Sequence, residues 1–407
     1  FFLFNGALSF SEFFKIHPPS LHTINDVALN SVFPAFGPYD GKVVSAFWNL
    51  NIYTNQRHLA LPIASLLLFI YTLVHFEKQN KRMPVLLVII FGILIGLLPF
   101  SHSSLFIMSV AALSILFLLM PKQRLPIFVM LGLAGAISIP RIYFLSSTAI
   151  FQPKINFDYL INELTLQSFI EYWILNLGFF ILLTPLGFLL SSSLAKKIFI
   201  AFLILFVLGH SIQFSPEIAA NHKFFNVFVI VGNMFAAFAL IQLWGKHILT
   251  KVVVIFMIFL MTFSGIIDFF PIKNDNYIIL SDYPKNQDIK WIMENTPKDA
   301  VFLNSSYLYD PASLAGRKIF LGWPYFAWSQ GYDTTNRELL LRQLLNSPDL
   351  TTFCSLLENF SFSYVEINSF TKDQNIIINY GFLSDNFTQV YNNPNSSTVI
   401  YKMNSQC

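Results

Sequence analysis

Two short polar strings carry the side chains best suited to chemistry, Asn55-Gln56-Arg57-His58 and Asn221-His222-Lys223, and each stands just ahead of an apolar run. Each string packs amide and cationic donors into a few positions at the mouth of a helix. Charge-assisted hydrogen bonds from such donors suit a phosphate held at an interface. Arg141, near the end of another apolar run, adds a cation, and His102, Glu163, Glu171, His210 and Glu217 fall at comparable places. Ionisable groups at membrane depth are costly and more often functional than surface ones, and cations at this boundary suit a phosphate-bearing lipid headgroup. The same residue types also snorkel and cap helix ends, so the cluster points to function more than any one member does. No Gly-rich phosphate loop, metal-spaced Cys/His set or Gly-X-Ser-X-Gly elbow competes.

The elements that must position these groups are membrane spans. Hydrophobic residues make up 55% of the chain and charged residues 12%, and the mean hydropathy of +0.57 does not suit a soluble globule. Stretches approaching the ~20 residues needed to cross a bilayer number about eight: 59–76, 84–100, 105–120, 127–144, 173–192, 198–213, 224–243 and 252–270. Pro84 suits a first helical turn, whereas Pro140 and Pro185 are expected to kink or end their helices. Lys and Arg gather in alternate loops, 77–82, 121–124, 195–197 and 245–251, and by the positive-inside bias these face the cytoplasm. The loops 101–104, 151–168 and 215–221 then face outward, as do residues 1–58 and everything after 270. A net charge of +3 is largely topological, so a nucleic-acid partner gains no support.

The fold class that follows is a polytopic α-helical membrane domain (59–270) followed by an extracytoplasmic α/β domain (271–407). Residues 1–58 read as an outer loop with short interfacial helices, such as 9–16, interrupted by Pro18, Pro19, Pro34 and Pro38. The expected location is the cell membrane. In the C-terminal domain, helices are predicted at 286–295, 336–346 and 350–359. Strands are predicted at 300–304, 318–323 and 362–367, and a closing hairpin pairs 387–391 with 398–401. Leu340, Leu341, Leu344 and Leu345 would form the inner face of the second helix. Four Asn-X-Ser/Thr triplets, at Asn304, Asn359, Asn386 and Asn395, fit the Asn-rich composition as well as glycosylation. The two cysteines, Cys354 and Cys407, lie where a disulfide is chemically permitted. The chain opens at Phe1 without Met and reads as N-terminally truncated, with room before it for further spans.

Many spans followed by an outer domain resemble the GT-C superfamily of membrane glycosyltransferases. At residue level the resemblance covers Asn55-Gln56-Arg57-His58, the stretch from Ala315 to Trp323 (Ala-Gly-Arg-Lys-Ile-Phe-Leu-Gly-Trp), Trp328 and Gly331-Tyr332-Asp333. It implies transfer of a sugar from a polyprenyl-phosphate donor at the outer face, with membrane lipid as the other partner. It also implies an acidic residue in the first outer loop, acting as base or as ligand to a divalent cation. Asp26 and Asp40 are the catalytic candidates by that analogy, although Asn25 and Gly41 beside them suit turn or cap duty equally. The sequence has no Asp-X-Asp or Glu-X-Asp pair for the role. A carboxylate there would activate the acceptor, while Arg57, His58, Arg141, His222 and Lys223 would hold the departing lipid phosphate. The alternative is a non-enzymatic multi-pass protein, a transporter or assembly scaffold, whose outer domain binds a partner.

Overall fold

An apolar segment removed from water must satisfy its own backbone amides and carbonyls, and the α-helix does so within one stretch of chain. The apolar half of this chain accordingly folds as helices. The computed structural model describes residues 4, 6–35, 41–48, 50–245, 247–275, 285–357, 360–373 and 376–403. The chain divides into two units, Phe1–Ser147 with Pro153–Asn276, and Thr148–Gln152 with Tyr277–Cys407.

The first unit begins with α1 (Phe10–Ile16), α2 (Thr23–Leu29) and α3 (Leu50–Asn55). The apolar series follows: α4 (Ala60–Lys78), α5 (Val85–Ser101), α6 (Ser103–Leu119), α7 (Arg124–Thr148), α8 (Leu166–Leu177), α9 (Phe180–Leu190), α10 (Ser193–Ser211), α11 (His222–Leu243), α12 (Ile248–Leu260) and α13 (Phe263–Lys273). Two short strands, β1 (Lys154–Ile155) and β2 (Ile212–Gln213), pair antiparallel.

Among the described residues, five helical stretches are long and apolar enough to cross a membrane: Ala60–Lys78, Pro121–Ser147, Ser193–Ser211, Ile218–Leu243 and Ile248–Lys273. The predicted eight are reduced for two physical reasons. Helices α5 and α6 have 17 residues each, so they are apolar but short. The stretch 173–192 is not one helix: α8 and α9 meet at 86°. The break falls at Gly178, whose φ of +53° is in glycine's region and where a Cβ would stand 2.0 Å from the Gly6 carbonyl oxygen. Counted as one bent span, the pair brings the total to six. Pro140 and Pro185 lie inside α7 and α9 without ending either, and Pro84 is the N-cap of α5 rather than a first-turn residue. The stretch 218–243 is the most enclosed, 67% buried against 28–33% for the others, so α11 is the helix around which the unit packs.

Residues 43–48 depart from an outer-loop expectation, because every one of them is buried. Their 3₁₀ turn, Ser45–Phe47, is fastened by three helices through polar side chains. Asn176 of α8 accepts from the Val44 amide at 2.9 Å and from Trp48 Nε1 at 2.8 Å. Asn226 of α11 donates to the Phe47 carbonyl at 2.7 Å, and Asp268 of α13 accepts from Ser45 Oγ at 3.2 Å. Buried polar groups need such partners, and here they thread a loop into the helical unit.

The second unit contains α14 (Gln287–Asn295), β3 (Val301–Leu303), α15 (Pro311–Leu314), β4 (Lys318–Ile319), α16 (Pro324–Trp328), α17 (Thr335–Leu345) and α18 (Leu350–Leu356). It ends with β5 (Tyr364–Ile367), α19 (Ser369–Asp373), α20 (Tyr380–Asn386), β6 (Thr388–Asn393) and β7 (Thr398–Lys402). One sheet has the order β4-β3-β5-β7-β6, with β3 parallel to both β4 and β5 and the remaining pairs antiparallel. Each predicted strand and helix has a counterpart, the closing hairpin included. Leu341, Leu344 and Leu345 pack with Phe353, Val365 and Phe382 in one core, with Leu340 only partly buried against it. Ile289, Ile292 and Phe302 form a second core with Ile400. Cys354 is disulfide-bonded, and the chain's other cysteine, Cys407, lies outside the described residues. The triplet at Asn304 has no room for a glycan: its side chain is fully buried, accepting from the Phe320 amide and donating to the Leu321 carbonyl.

Candidate functional site

The first turn of α11 is built to hold His222 and Lys223 in place. Glu217 caps the preceding 3₁₀ turn through the Ala219 amide. Asn221 donates to the carbonyls of Gly209 and Ile212, both at 2.8 Å, and so ties the start of α11 to the end of α10. His222 is buried, and its Nδ1 lies 2.7 Å from Asn226 Oδ1. Because Asn226 spends its amide N–H on the Phe47 carbonyl, its oxygen faces the imidazole, and Nδ1 carries the proton. Nε2 is left with a lone pair and takes no hydrogen bond among the described residues. The Phe47 ring stacks on the imidazole at 4.6 Å and 22°.

Beside this turn stands His102, in the joint between α5 and α6, buried and with Nδ1 unpartnered. The exposed His58 ring stacks on it at 5.2 Å and 21°. Lys223 is close enough to act electrostatically on both His102 and His222. Half-buried itself, Lys223 makes no ion pair and no hydrogen bond among the described residues. Among the described residues, the ion pairs Lys15–Glu12, Lys290–Glu294 and Arg342–Glu338 lie within single helices elsewhere. A partly desolvated ammonium beside two imidazoles, one of them stacked on a third, with no carboxylate paired to it among the described residues, is an arrangement that attracts an anion.

Of the residues singled out from the sequence, His58, His222 and Lys223 are thus brought together. Arg141 sits near the end of α7 with its guanidinium 5.7 Å from the rings of both Phe100 and Phe144. Its Nε is buried without a partner, and Phe100 is two residues from His102. The backbone of Arg57 belongs to the 3₁₀ turn Arg57–Leu59, next to His58. Asp26 is placed apart from the imidazoles: it lies in the first turn of α2, lining a cleft of about 470 Å³ with Phe13, His17, Leu29 and Pro34. Asp40 lies outside the described residues. Among the described residues no group of three or more His, Cys, Asp or Glu is disposed to hold a metal ion, so the divalent cation implied by the resemblance has no ligand set there.

Sequence reasoning passed over Asp268, a fully buried carboxylate inside the stretch 252–270. The signal was available: an acid in an apolar span. Through Ser45 it holds the turn whose Phe47 covers His222. His210 lies in the last turn of α10, at a helix end as expected, and there it occupies an aromatic enclosure. Trp173 Nε1 donates to its Nε2 at 2.8 Å, and the rings of Phe169, Trp173, Phe206 and Phe225 lie 5.1–5.2 Å away.

The second unit holds a different polar cluster. Asp310 caps α15, and Glu366 lies in β5; both are fully buried. Asn368 Nδ2 donates to Asp310 Oδ2 at 3.4 Å and Glu366 Oε1 at 3.2 Å, Ser305 Oγ donates to Asp310 Oδ2 at 2.7 Å, and Glu366 Oε2 has no partner. Burial pushes the Asp310 carboxyl up to about 6. Burial first, and the Asp310 charge second, raise Glu366 well above the usual carboxylate range.

No protein-family model matches the chain, and no curated protein matches it.

Proposed function

We propose that this chain is a membrane glycosyltransferase that takes a sugar from a polyprenyl-phosphate donor at the outer membrane face, with the His58, His102, His222 and Lys223 cluster binding the donor phosphate. The observation that carries the reading is Lys223: a half-buried cation beside imidazoles, with no carboxylate paired to it among the described residues. In the transfer, an acceptor nucleophile attacks the anomeric carbon and the bond from that carbon to the phosphate oxygen breaks. Charge accumulates on the departing phosphate, and fixed cations in a poorly solvated site stabilise it more than water would. The His222 Nε2 lone pair is the basic atom within the cluster, and a carboxylate at Asp26 or Asp40 is the base implied by the GT-C resemblance.

The test is transfer from radiolabelled polyprenyl-phosphate sugar by the full-length protein in lipid. Loss of one group that donates to the departing oxyanion is expected to lower the rate by about 10² to 10³, so Lys223→Ala and His102→Ala should each fall by that order. Full activity in both variants, or no transfer from any donor tried, overturns the reading. The transporter alternative is favoured by one observation, the 86° break between α8 and α9 beside the buried Asn176, because interrupted helices with polar groups are how transporters build sites. Uptake of the lipid phosphate without transfer, measured in the same vesicles, would decide for it.

A further inference from the structure

The string from Trp323 to Asp333 has no role in the phosphate cluster, and the structure gives it a distinct form. Helix α16 and its N-cap residue Trp323 present four aromatic side chains outward: Trp323, Tyr325, Phe326 and Trp328 are 40%, 48%, 59% and 38% exposed. Water-facing aromatic groups in such density mark an interaction surface. The end of α16 is closed by Gly331, whose amide donates to the Trp328 carbonyl while the Tyr332 amide donates to that of Ala327. This closing turn needs the positive φ of 91° that Gly331 adopts.

The same glycine fixes where the aromatic helix must be. The Gly331 carbonyl accepts from the amides of Ile150 and Phe151, at 2.8 and 3.2 Å, and a Cβ on Gly331 would meet Phe151 Cβ at 3.0 Å. Ile150 and Phe151 belong to the second unit, and they follow directly on the apolar stretch Pro121–Ser147. Two residues, Thr148 and Ala149, lie between Ser147 and Ile150, so the two are at most ~11 Å apart. The segment that anchors the α16 end thus continues the chain from a helical stretch long and apolar enough to cross a membrane. The last turns of that helix already expose Tyr143 and Phe144. Trp and Tyr concentrate at this depth, where an apolar ring can enter the acyl boundary while its N–H or O–H stays in the headgroups.

We propose that α16 is a bilayer-docking surface, through which Trp323, Tyr325, Phe326 and Trp328 insert into the lipid interface and seat the second unit against the membrane. The proposal needs α7 to span a membrane and is independent of any donor substrate. Its occupant is the lipid surface, and the alternatives, a second copy or open solvent, are separated by experiment. The full chain is reconstituted in phosphatidylcholine nanodiscs with a nitroxide at Phe326→Cys, and in a second variant at Tyr325→Cys. Collision rates with oxygen, which enters lipid, and with a water-soluble nickel chelate are measured against Asp299→Cys. Asp299 precedes β3, whereas α16 follows the neighbouring parallel strand β4, so the two leave the sheet at opposite ends of its strands. The expected result is a gain of oxygen collisions and a loss of nickel collisions at 325 and 326 relative to 299. Nickel access equal to that at 299 overturns the proposal. So does shielding from both reagents with dipolar coupling between labels, which would place a second copy on the surface.

Discussion

Replacing Glu366 with Gln should reduce a pH dependence that the second unit carries through two buried carboxyls. Glu366 and Asp310 share a dry site in which Asn368 and Ser305 supply the neighbouring donors and no cation is paired with either carboxyl among the described residues. Asp288 is the other charge that acts on Glu366, and it raises it further. Both folded-state values are raised, so the folded state holds its protons more tightly than the unfolded chain does. The stabilisation is therefore fully present below the ordinary carboxylate range and is lost as pH rises through the raised values. The Asp310 shift, from 3.8 to about 6, corresponds to roughly 3 kcal/mol spread over that interval. Each additional proton held by the folded state contributes a slope of at most ~1.4 kcal/mol per pH unit. Hydrogen exchange of β5 and β7 amides in the full chain, corrected for intrinsic rates, reads this slope directly. Protection in the native protein should fall from pH 5 to pH 8, while Glu366→Gln, isosteric with the protonated acid, should show a shallower fall that keeps only the Asp310 part. Superposable profiles, or greater native protection at pH 8 than at pH 5, would refute the raised values assigned to this pair.

Further outcomes follow from other buried groups. Lys223→Met should raise the melting temperature while abolishing phosphate-dependent activity, because an unpaired desolvated cation costs stability; calorimetry and the transfer assay on one preparation check both halves. Asn226→Ala removes the acceptor of His222 Nδ1 and a donor to the Phe47 carbonyl and should destabilise by about 1–3 kcal/mol, read by denaturant unfolding, whereas Asn226→Asp should retain the imidazole contact. Gly331→Ala combines a positive φ with a close approach to Phe151 and should cost about 1–3 kcal/mol, measured as increased exchange at the Ile150 and Phe151 amides.

How far such features were legible in the sequence depends on whether their cause is local. The Asn221-His222-Lys223 triplet could be read because it is contiguous and interrupts an apolar pattern, and the structure adds His102 to it from another helix joint. The leucine face of α17 could be read because helical periodicity is a property of adjacent residues. The broken span could not: Gly178 is one glycine among 17, and what makes it a break is the carbonyl of Gly6, more than 170 positions away in sequence. The burial of residues 43–48 was illegible for the same reason, since it rests on Asn176, Asn226 and Asp268 arriving from three distant helices.

Asp268 marks the boundary between the two kinds of feature. An acid in an apolar stretch is a local anomaly, visible without any fold, and an uncompensated carboxylate at that depth has a high cost. What composition could not convey is its target, Ser45, and through that turn the ring that covers His222. The cationic cluster is therefore seated by a carboxylate that is not paired to its ammonium. Separating the two in this way leaves Lys223 without a counter-ion among the described residues, and that is the condition under which an incoming phosphate, rather than a resident side chain, can complete the charge balance.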